Sequence, residues 1–277
     1  MTNASAGKKI TRNEGHLMVA SGFTGIKELD QMLDSGISRG DVILFLDDIG
    51  SGNDFILSEI IRNHHNRGGS VILVLTSPDA LRFAELIEDI IHSKNFTIID
   101  CISPKNVYNT EYYIENCSKV FDIFLTMKTA RDNQLKNCDK DELYPLVCLY
   151  SLSSLFINFE TNEVIQFFNK NIREAMRCKT IEYYHLYQGI TETSVEKRIQ
   201  ALANTVIRTR TEFKEHRRVN FIQVVKHSSG IPFPEERQYS ITKRDGMQPE
   251  IVFSTPFLEH MVKSIQSLSG QLTTKKD

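Results

Sequence analysis

The residues best suited to chemistry are gathered in one short stretch that follows an apolar run at residues 42–46. This stretch carries the acids Asp47, Asp48 and Asp54 around a Gly-Ser-Gly turn at residues 50–52. A glycine turn between a buried strand and a helix leaves backbone N–H groups at the start of the helix, where they can bind phosphate groups. Carboxylates at the same place could instead hold Ca²⁺ or Mg²⁺.

Of these two interpretations, the metal site is the weaker. Asp47 and Asp48 are adjacent, so their side chains point in different directions wherever the chain is extended. No further ligand is patterned around them. We therefore predict no metal site here.

Composition excludes several classes of protein. The chain has 277 residues, of which 40% are hydrophobic and 25% charged, values typical of a globular domain with a substantial core. The net charge of -2 gives no overall attraction to nucleic acid or acidic membranes. The longest aliphatic run, Val71 to Leu75, is too short to span a membrane. Five cysteines without a Cys-x-x-Cys pair, and no signal peptide, favour free thiols in the cytoplasm.

The hydrophobic pattern predicts an α/β fold. Apolar runs typical of strands covered on both faces alternate with helical patterns, which indicates βαβ units. We predict these strands at residues 42–46, 71–75, 96–100, 146–150 and 180–186. Two β-hairpins follow, formed by residues 206–213 with 218–226 and by residues 239–242 with 251–253 around Asp245-Gly246. The expected architecture is a mostly parallel, twisted sheet flanked by helices, with C-terminal β-hairpins.

Other predictions concern helices and boundaries. We expect a helix at 112–127, an exposed charged loop at 131–142, a terminal helix at 258–268 and helix caps at Thr24 and at the capping box Thr193 to Glu196. No linker divides the chain. We therefore predict a flexible arm at 1–17, a single domain at 18–268 and a flexible tail at 269–277.

Several segments together resemble a known family. The run Thr24-Gly25-Ile26, Leu29-Asp30 and Leu33, then Gly36-Ile37 and Gly40-Asp41 before the first strand, resembles the start of the ATPase core in the KaiC and RadA branch of the RecA-type P-loop ATPases. Residues 146–155, 202–207, 221–230 and 239–251 resemble later segments of that core in the same order. The resemblance covers roughly residues 20–255 and implies a RecA-like three-layer fold.

The resemblance also shows a degenerate Walker A motif. The P-loop pattern Gly-x-x-x-x-Gly-Lys-Ser/Thr falls on Asp47, Gly52, Asn53 and Asp54, so the lysine and the hydroxyl are both lost. The affected loop position consists of Asp48, Ile49, Gly50, Ser51, Gly52, Asn53 and Asp54. Losing a charged donor costs about 1.5 to 3 kcal/mol. A carboxylate ~4 Å from a phosphate adds repulsion of up to ~4 kcal/mol. We expect Asp54 to cap the helix amides itself.

The Walker B motif is degenerate too. The magnesium-binding aspartate would end the strand at residues 146–150, and Tyr150 stands there. The family's catalytic glutamate would follow residues 71–75, but Thr76-Ser77-Pro78 has no carboxylate. Asn204 replaces an aspartate that the family usually has. The resemblance therefore implies no ATPase activity for the chain alone and no cofactor, with ATP and magnesium disfavoured.

Positive charge is concentrated on the first late hairpin, at Arg208, Arg210, Arg217 and Arg218. This is a possible basic contact surface for nucleic acid, an acidic partner or a neighbouring subunit. Glu212 dilutes the charge, so a solvated hairpin is the simpler interpretation. No aromatic residues that could stack on bases are interleaved there, so nucleic-acid binding is not supported.

Our first hypothesis is a pseudo-ATPase that acts as a regulatory or scaffolding partner through protein–protein contacts. Its partner would be a catalytic RecA/KaiC-like homologue or a second copy of the chain. The alternatives are a weak ATP-binding subunit of a RecA-like ATPase assembly and a recombinase-paralogue accessory protein in DNA repair.

Overall fold

A computed structural model describes residues 22–34, 36–115, 117–137, 143–214, 217–228, 235–242 and 250–254. The predicted arm at 1–17, the helix at 258–268, the tail at 269–277 and the turn at Asp245-Gly246 lie outside these residues.

One mixed sheet runs through the described part of the chain. Its strands are β1 (Val42–Asp47), β2 (Val71–Leu75), β3 (Phe96–Asp100), β4 (Tyr112–Tyr113), β5 (Leu146–Tyr150), β6 (Ile181–Tyr187), β7 (Thr205–Lys214), β8 (Arg217–Lys226), β9 (Arg237–Thr242) and β10 (Glu250–Phe253). Their spatial order is β10-β9-β8-β7-β1-β6-β5-β2-β3-β4. Strand β1 lies at the centre and pairs in parallel with both β6 and β7.

The sheet changes character at β7. From β7 through β1 to β4 all pairings are parallel, whereas β7, β8, β9 and β10 pair antiparallel in succession. This confirms the predicted mostly parallel sheet with C-terminal hairpins.

Helices cover both faces of the sheet. They are α1 (Lys27–Met32), α2 (Asn53–Asn66), α3 (Asp79–Glu85), α4 (Glu88–Ile91), α5 (Val120–Asn137), α6 (Leu152–Asn158), α7 (Thr161–Cys178) and α8 (Thr193–Leu202). Ile43 and Phe45 of β1 pack in one core cluster with α1 to α4. Val42, Leu44 and Leu46 pack in a second cluster with α5 to α8. Because alternate residues of a strand face opposite sides, this central strand has to be apolar throughout. The result is a three-layer α/β arrangement.

The middle of the chain corrects two predictions. The helix expected at 112–127 begins only at Val120, while Tyr112–Tyr113 pairs with β3 as a short strand. The exposed loop expected at 131–142 is wrong for residues 131–137, which belong to α5. Arg131 is fully buried and donates from Nε to Glu182 Oε1 at 2.8 Å. A charged stretch therefore looked exposed although its arginine has a buried partner far along the chain. Residues 138–142 lie outside the described part.

The predicted helix caps are also corrected. Among the described residues, no side chain caps α8. Its N-cap residue is Glu192, and Glu196 accepts the N–H of Gly189 at 3.2 Å. At α1 the N-cap residue is Ile26, and the Thr24 hydroxyl donates to Asp30 at 2.7 Å. Separately, none of the helices in the described ranges is long and apolar enough to cross a membrane.

Candidate functional site

The turn between β1 and α2, residues 48–54, is the glycine loop. Gly50 and Gly52 have φ angles of 84° and 85°, in the left-handed region that glycine tolerates best. A Cβ at Gly50 would lie 2.7 Å from Arg218 Nη2, and one at Gly52 would lie 2.1 Å from Ile241 Cδ1, so each of these side chains would have to move. The left-handed backbone is therefore the main reason for glycine at both positions.

The start of α2 has open donors. Helix α2 is 14 residues long, and no side chain of the described residues caps it. The N–H groups of Asn53 and Asp54 have no intrahelical acceptor, whereas the N–H of Phe55 donates to the Gly52 carbonyl at 3.1 Å. The expected cap by Asp54 is wrong, since the Asp54 carboxylate instead accepts the Tyr150 hydroxyl at 2.5 Å. The positive end of the α2 dipole therefore lies at the glycine loop.

Asn53 stands where the resemblance places the P-loop lysine. Its side chain is only 1% exposed. Neither Nδ2 nor Oδ1 has a hydrogen-bond partner within the described residues. Burying an unpaired polar group typically costs about 1 to 3 kcal/mol. An amide left unpaired in this way is suited to a bound molecule.

A cavity of about 540 Å³ opens over the loop. It is lined by Asp47, Gly50, Ser51, Gly52, Asn53, Asp54, Phe55, Tyr187, Arg218, Asn220, Tyr239, Ser240 and Ile241. Strands β8 and β9 form its far wall, and the Tyr239 hydroxyl donates to the Ser51 carbonyl at 2.9 Å. The C-terminal hairpins thus close over the loop, which the sequence alone did not indicate.

Internal hydrogen bonds occupy the acids at the end of β1. The buried Asp47 carboxylate accepts the hydroxyls of Ser51 and Thr209, and His185 Nε2 lies 3.3 Å from its other oxygen. Asp48 accepts Gln188 Nε2 at 2.8 Å and the Thr211 N–H at 3.2 Å. Asp48 therefore links the residue that follows β6 to a residue of β7, and its carboxylate does not point into the space inside the glycine loop.

Tyr150, where the resemblance places the Walker B aspartate, is part of an aromatic stack. Its ring lies between Phe83, at 4.8 Å, and His185, at 4.5 Å, with interplanar angles of 12° and 4°. Its hydroxyl also lies 3.2 Å from that of Tyr187. Burial and the neighbouring Asp54 carboxylate raise the pKa of Tyr150 well above its usual range, so the phenol keeps its proton and donates a hydrogen bond to Asp54. Burial likewise raises the pKa of Asp54, although the bond from Tyr150 opposes that shift.

The remaining positions named by the resemblance hold structural residues. Thr76 donates its hydroxyl to the Ser151 carbonyl at 2.9 Å, at the end of β2. Asn204 lies at the amino-terminal ends of β1 and β7, where its Oδ1 accepts the Val42 N–H at 2.9 Å. In the described ranges, no group of three or more His, Cys, Asp or Glu residues could hold a metal ion.

The four late arginines differ in their exposure and in their ion pairing. Arg210 is ion-paired with Glu212 and Glu236 and lies over the Phe221 ring at 4.2 Å. Arg208 is half-buried, whereas Arg217 and Arg218 are exposed. Arg218 turns its guanidinium towards Gly50. The sequence missed Glu236 because it lies 26 residues from Arg210 and approaches through the pairing of β9 with β8.

Sequence reasoning also missed His185 and Tyr187, which follow one another at two-residue spacing near the end of β6. A signal was present, since polar and aromatic residues at the carboxyl end of a parallel strand meet those of neighbouring strands at one edge.

No protein-family model matches the chain, and no curated protein matches its sequence.

Proposed function

We propose that the chain is a RecA-like pseudo-ATPase of the KaiC and RadA type, which acts through protein contacts as a regulatory or scaffolding partner. One observation carries this proposal: Tyr150 donates a hydrogen bond to Asp54. In a working site of the resembled family, the residues at these two positions share a magnesium ion. In this chain they share a proton instead.

The site is also poor in the other groups that phosphoryl transfer needs. Asn53 has no charge to offer a phosphate, and residues 76–78 provide no base to activate water. Catalysis of this reaction depends on positioning and on stabilising charge, so losing the lysine, the hydroxyl, the magnesium ligand and the base together removes most of it. The proposal is therefore a protein that does not hydrolyse ATP.

Exposed apolar side chains support a role in protein contacts. Ile49 at the tip of the glycine loop is 76% exposed, and Phe213 near the end of β7 is 80% exposed. The proposed partner is a catalytic RecA/KaiC-like homologue or a second copy of this chain. The free thiols of Cys101, Cys117 and Cys148 fit a reducing compartment, so the proposed location is the cytoplasm.

Isothermal titration with Mg-ATP tests the proposal. We expect no binding below about 1 mM, since each ~1.4 kcal/mol of lost interaction weakens binding tenfold. Phosphate release should equal that of buffer. Micromolar binding of Mg-ATP together with turnover would overturn the pseudo-ATPase role.

A second candidate is a weak ATP-binding subunit of a RecA-like assembly. The retained cavity of about 540 Å³ above the glycine loop favours it. This candidate requires turnover to appear when a catalytic homologue is added. It also requires that turnover to fall when the cavity is filled by Ser240→Phe in this chain, with Ser254→Phe, outside the cavity, as the control. The ion pairs of Arg210 weaken the remaining alternative of a DNA-repair accessory protein.

A further inference from the structure

A second cavity, of about 340 Å³, shares no lining residue with the cavity over the glycine loop. It lies beyond the carboxyl ends of β2 and β3, between helix α6 and the connection from β3 to α5. Two of its lining residues are the free cysteines Cys101 and Cys117, which both belong to that connection. The cavity therefore brings two thiols to one space.

The two thiols lie on the same side of the sheet and act on each other. Cys101 directly follows β3, and its N–H donates to the Leu75 carbonyl at 3.1 Å, which fixes its backbone at the end of the sheet. Both cysteines pack against the core cluster that contains α5 and α6. Burial raises the pKa of Cys101, and a negative charge on Cys117 would raise it further. The two sulfur atoms are consequently within electrostatic reach of each other.

Both thiols are also accessible and weakly held. Each cysteine is half-buried, and the Cys117 thiol makes only a 3.7 Å contact with the Lys119 carbonyl. Neither residue is part of a helix or strand, so the backbone can adjust to the geometry that a disulfide needs. By contrast, Cys148 and Cys178 are buried, and neither lines this cavity. A small reagent from solvent therefore reaches the first pair of thiols and not the second.

The surroundings favour a neutral product over a bound metal ion. Burial raises the pKa of both cavity thiols, and the nearby acids Asp100 and Asp122 raise them further. A metal ion needs its thiol ligands deprotonated. In the described ranges no group of three or more His, Cys, Asp or Glu residues could hold one. A disulfide has no charge, so it avoids this cost.

We propose that Cys101 and Cys117 form a reversible disulfide across this cavity when the chain meets a peroxide. The Cys117 thiolate attacks one peroxide oxygen, the O–O bond breaks, and the departing oxygen leaves as water after taking up a proton. The Cys101 sulfur then attacks the resulting sulfenic acid, loses its proton to solvent and releases a second water. Two thiols are oxidised, and one peroxide is reduced to two waters. The bond ties together both ends of the connection from β3 to α5, independently of the pseudo-ATPase role.

The test treats the full chain with hydrogen peroxide, blocks the remaining thiols with N-ethylmaleimide and identifies linked peptides by mass spectrometry without reduction. Cys138→Ser is present in every sample, because Cys138 lies outside the described residues. We expect the link between Cys101 and Cys117 to be the main disulfide and dithiothreitol to remove it. Its rate of formation should rise about tenfold per pH unit between about pH 7 and 8, because only the thiolate attacks and both thiols are still largely protonated there.

Cys117→Ser should abolish the link, whereas Cys178→Ser, the matched control outside the cavity, should leave its yield unchanged. Absence of the link, a yield no greater than that of links to Cys148 or Cys178, or bonds formed only between two chains would overturn the proposal. Equal loss of the link in the two serine variants would do the same. Melting temperatures show whether each variant is folded, and Cys101→Ala is the second variant that must abolish the link. The Mg-ATP titration is judged separately, because its outcome does not depend on these thiols.

Discussion

Tyr150→Phe removes one oxygen atom from the site and tests how much the hydrogen bond between Tyr150 and Asp54 stabilises the fold. The phenylalanine ring would keep its place between Phe83 and His185. Only the hydroxyl is lost, which donates to Asp54 at 2.5 Å and lies 3.2 Å from the Tyr187 hydroxyl. The change therefore isolates the hydrogen bond from the packing.

The expected loss of stability depends on the group that accepts the hydrogen bond from Tyr150, the Asp54 carboxylate. Hydrogen bonds to charged groups contribute about 1.5 to 3 kcal/mol. Asp54 is half-buried and borders the cavity, so water can replace part of the lost bond. We expect the free energy of unfolding to fall by about 2 kcal/mol, a large share of the roughly 5 to 15 kcal/mol typical of a folded protein. Tyr187→Phe, which loses only the longer contact, should cost less than about 1 kcal/mol.

Urea unfolding followed by far-ultraviolet circular dichroism measures these values, since the chain has no tryptophan for fluorescence. A double-mutant cycle of Tyr150→Phe with Asp54→Ala isolates the pair. We expect a coupling energy of about 1 to 2 kcal/mol. If the stability losses of the two single variants sum to that of the double variant within ~0.5 kcal/mol, the two residues are not coupled and the hydrogen bond does not stabilise the fold.

Three further predictions concern stability, and each is measured by urea unfolding. Burial lowers the pKa of His64 to about 4, so the unfolded chain takes up a proton first as pH falls. Stability should then be lost between about pH 6.5 and 4, by roughly 3 kcal/mol, and a slope that His64→Leu leaves unchanged would contradict this. Arg131→Met leaves the Glu182 carboxylate buried without a positive partner, although two hydroxyls still donate to it, and should cost about 3 to 5 kcal/mol; adding Glu182→Leu should recover most of that loss, and no recovery would count against the pairing. Gly52→Ala forces a side chain into the left-handed region and against Ile241, with an expected cost of about 1 to 3 kcal/mol; Ile241→Ala in the same chain should relieve part of it, and a neutral Gly52→Ala would show that the loop geometry is different.

Much of the fold could be predicted from local pattern. The core strands are continuous apolar runs, because helices on both faces bury every residue of β1 and β2. Glycines indicated the loop after β1. A change from helical to strand-like spacing of the apolar residues indicated the late hairpins. These features depend on neighbours in the sequence, which makes them readable without a structure.

The features that were missed depend on distant partners. Arg131 looks like a solvated residue until its bond to Glu182, 51 residues away, places it in the core. Asp54 looked like a helix cap, but Tyr150 lies 96 residues further on and offers a stronger donor. The position of Arg218 at Gly50 needs the whole antiparallel extension of the sheet. The sequence showed which residue types the loop carries, but not the contacts that Tyr150 and Arg218 make with it.

The central position of β1 has a consequence for synthesis of the chain. Asp47 of β1 and His185 of β6, which share a buried contact, are 138 residues apart. At about 5 to 20 residues per second, a ribosome needs roughly 7 to 30 seconds to make that interval. During this time the run Val42-Ile43-Leu44-Phe45-Leu46 has neither neighbouring strand, and such runs aggregate when exposed. Truncated chains that end before β6 should therefore need chaperones to stay in solution, even though their β1 sequence is unaltered.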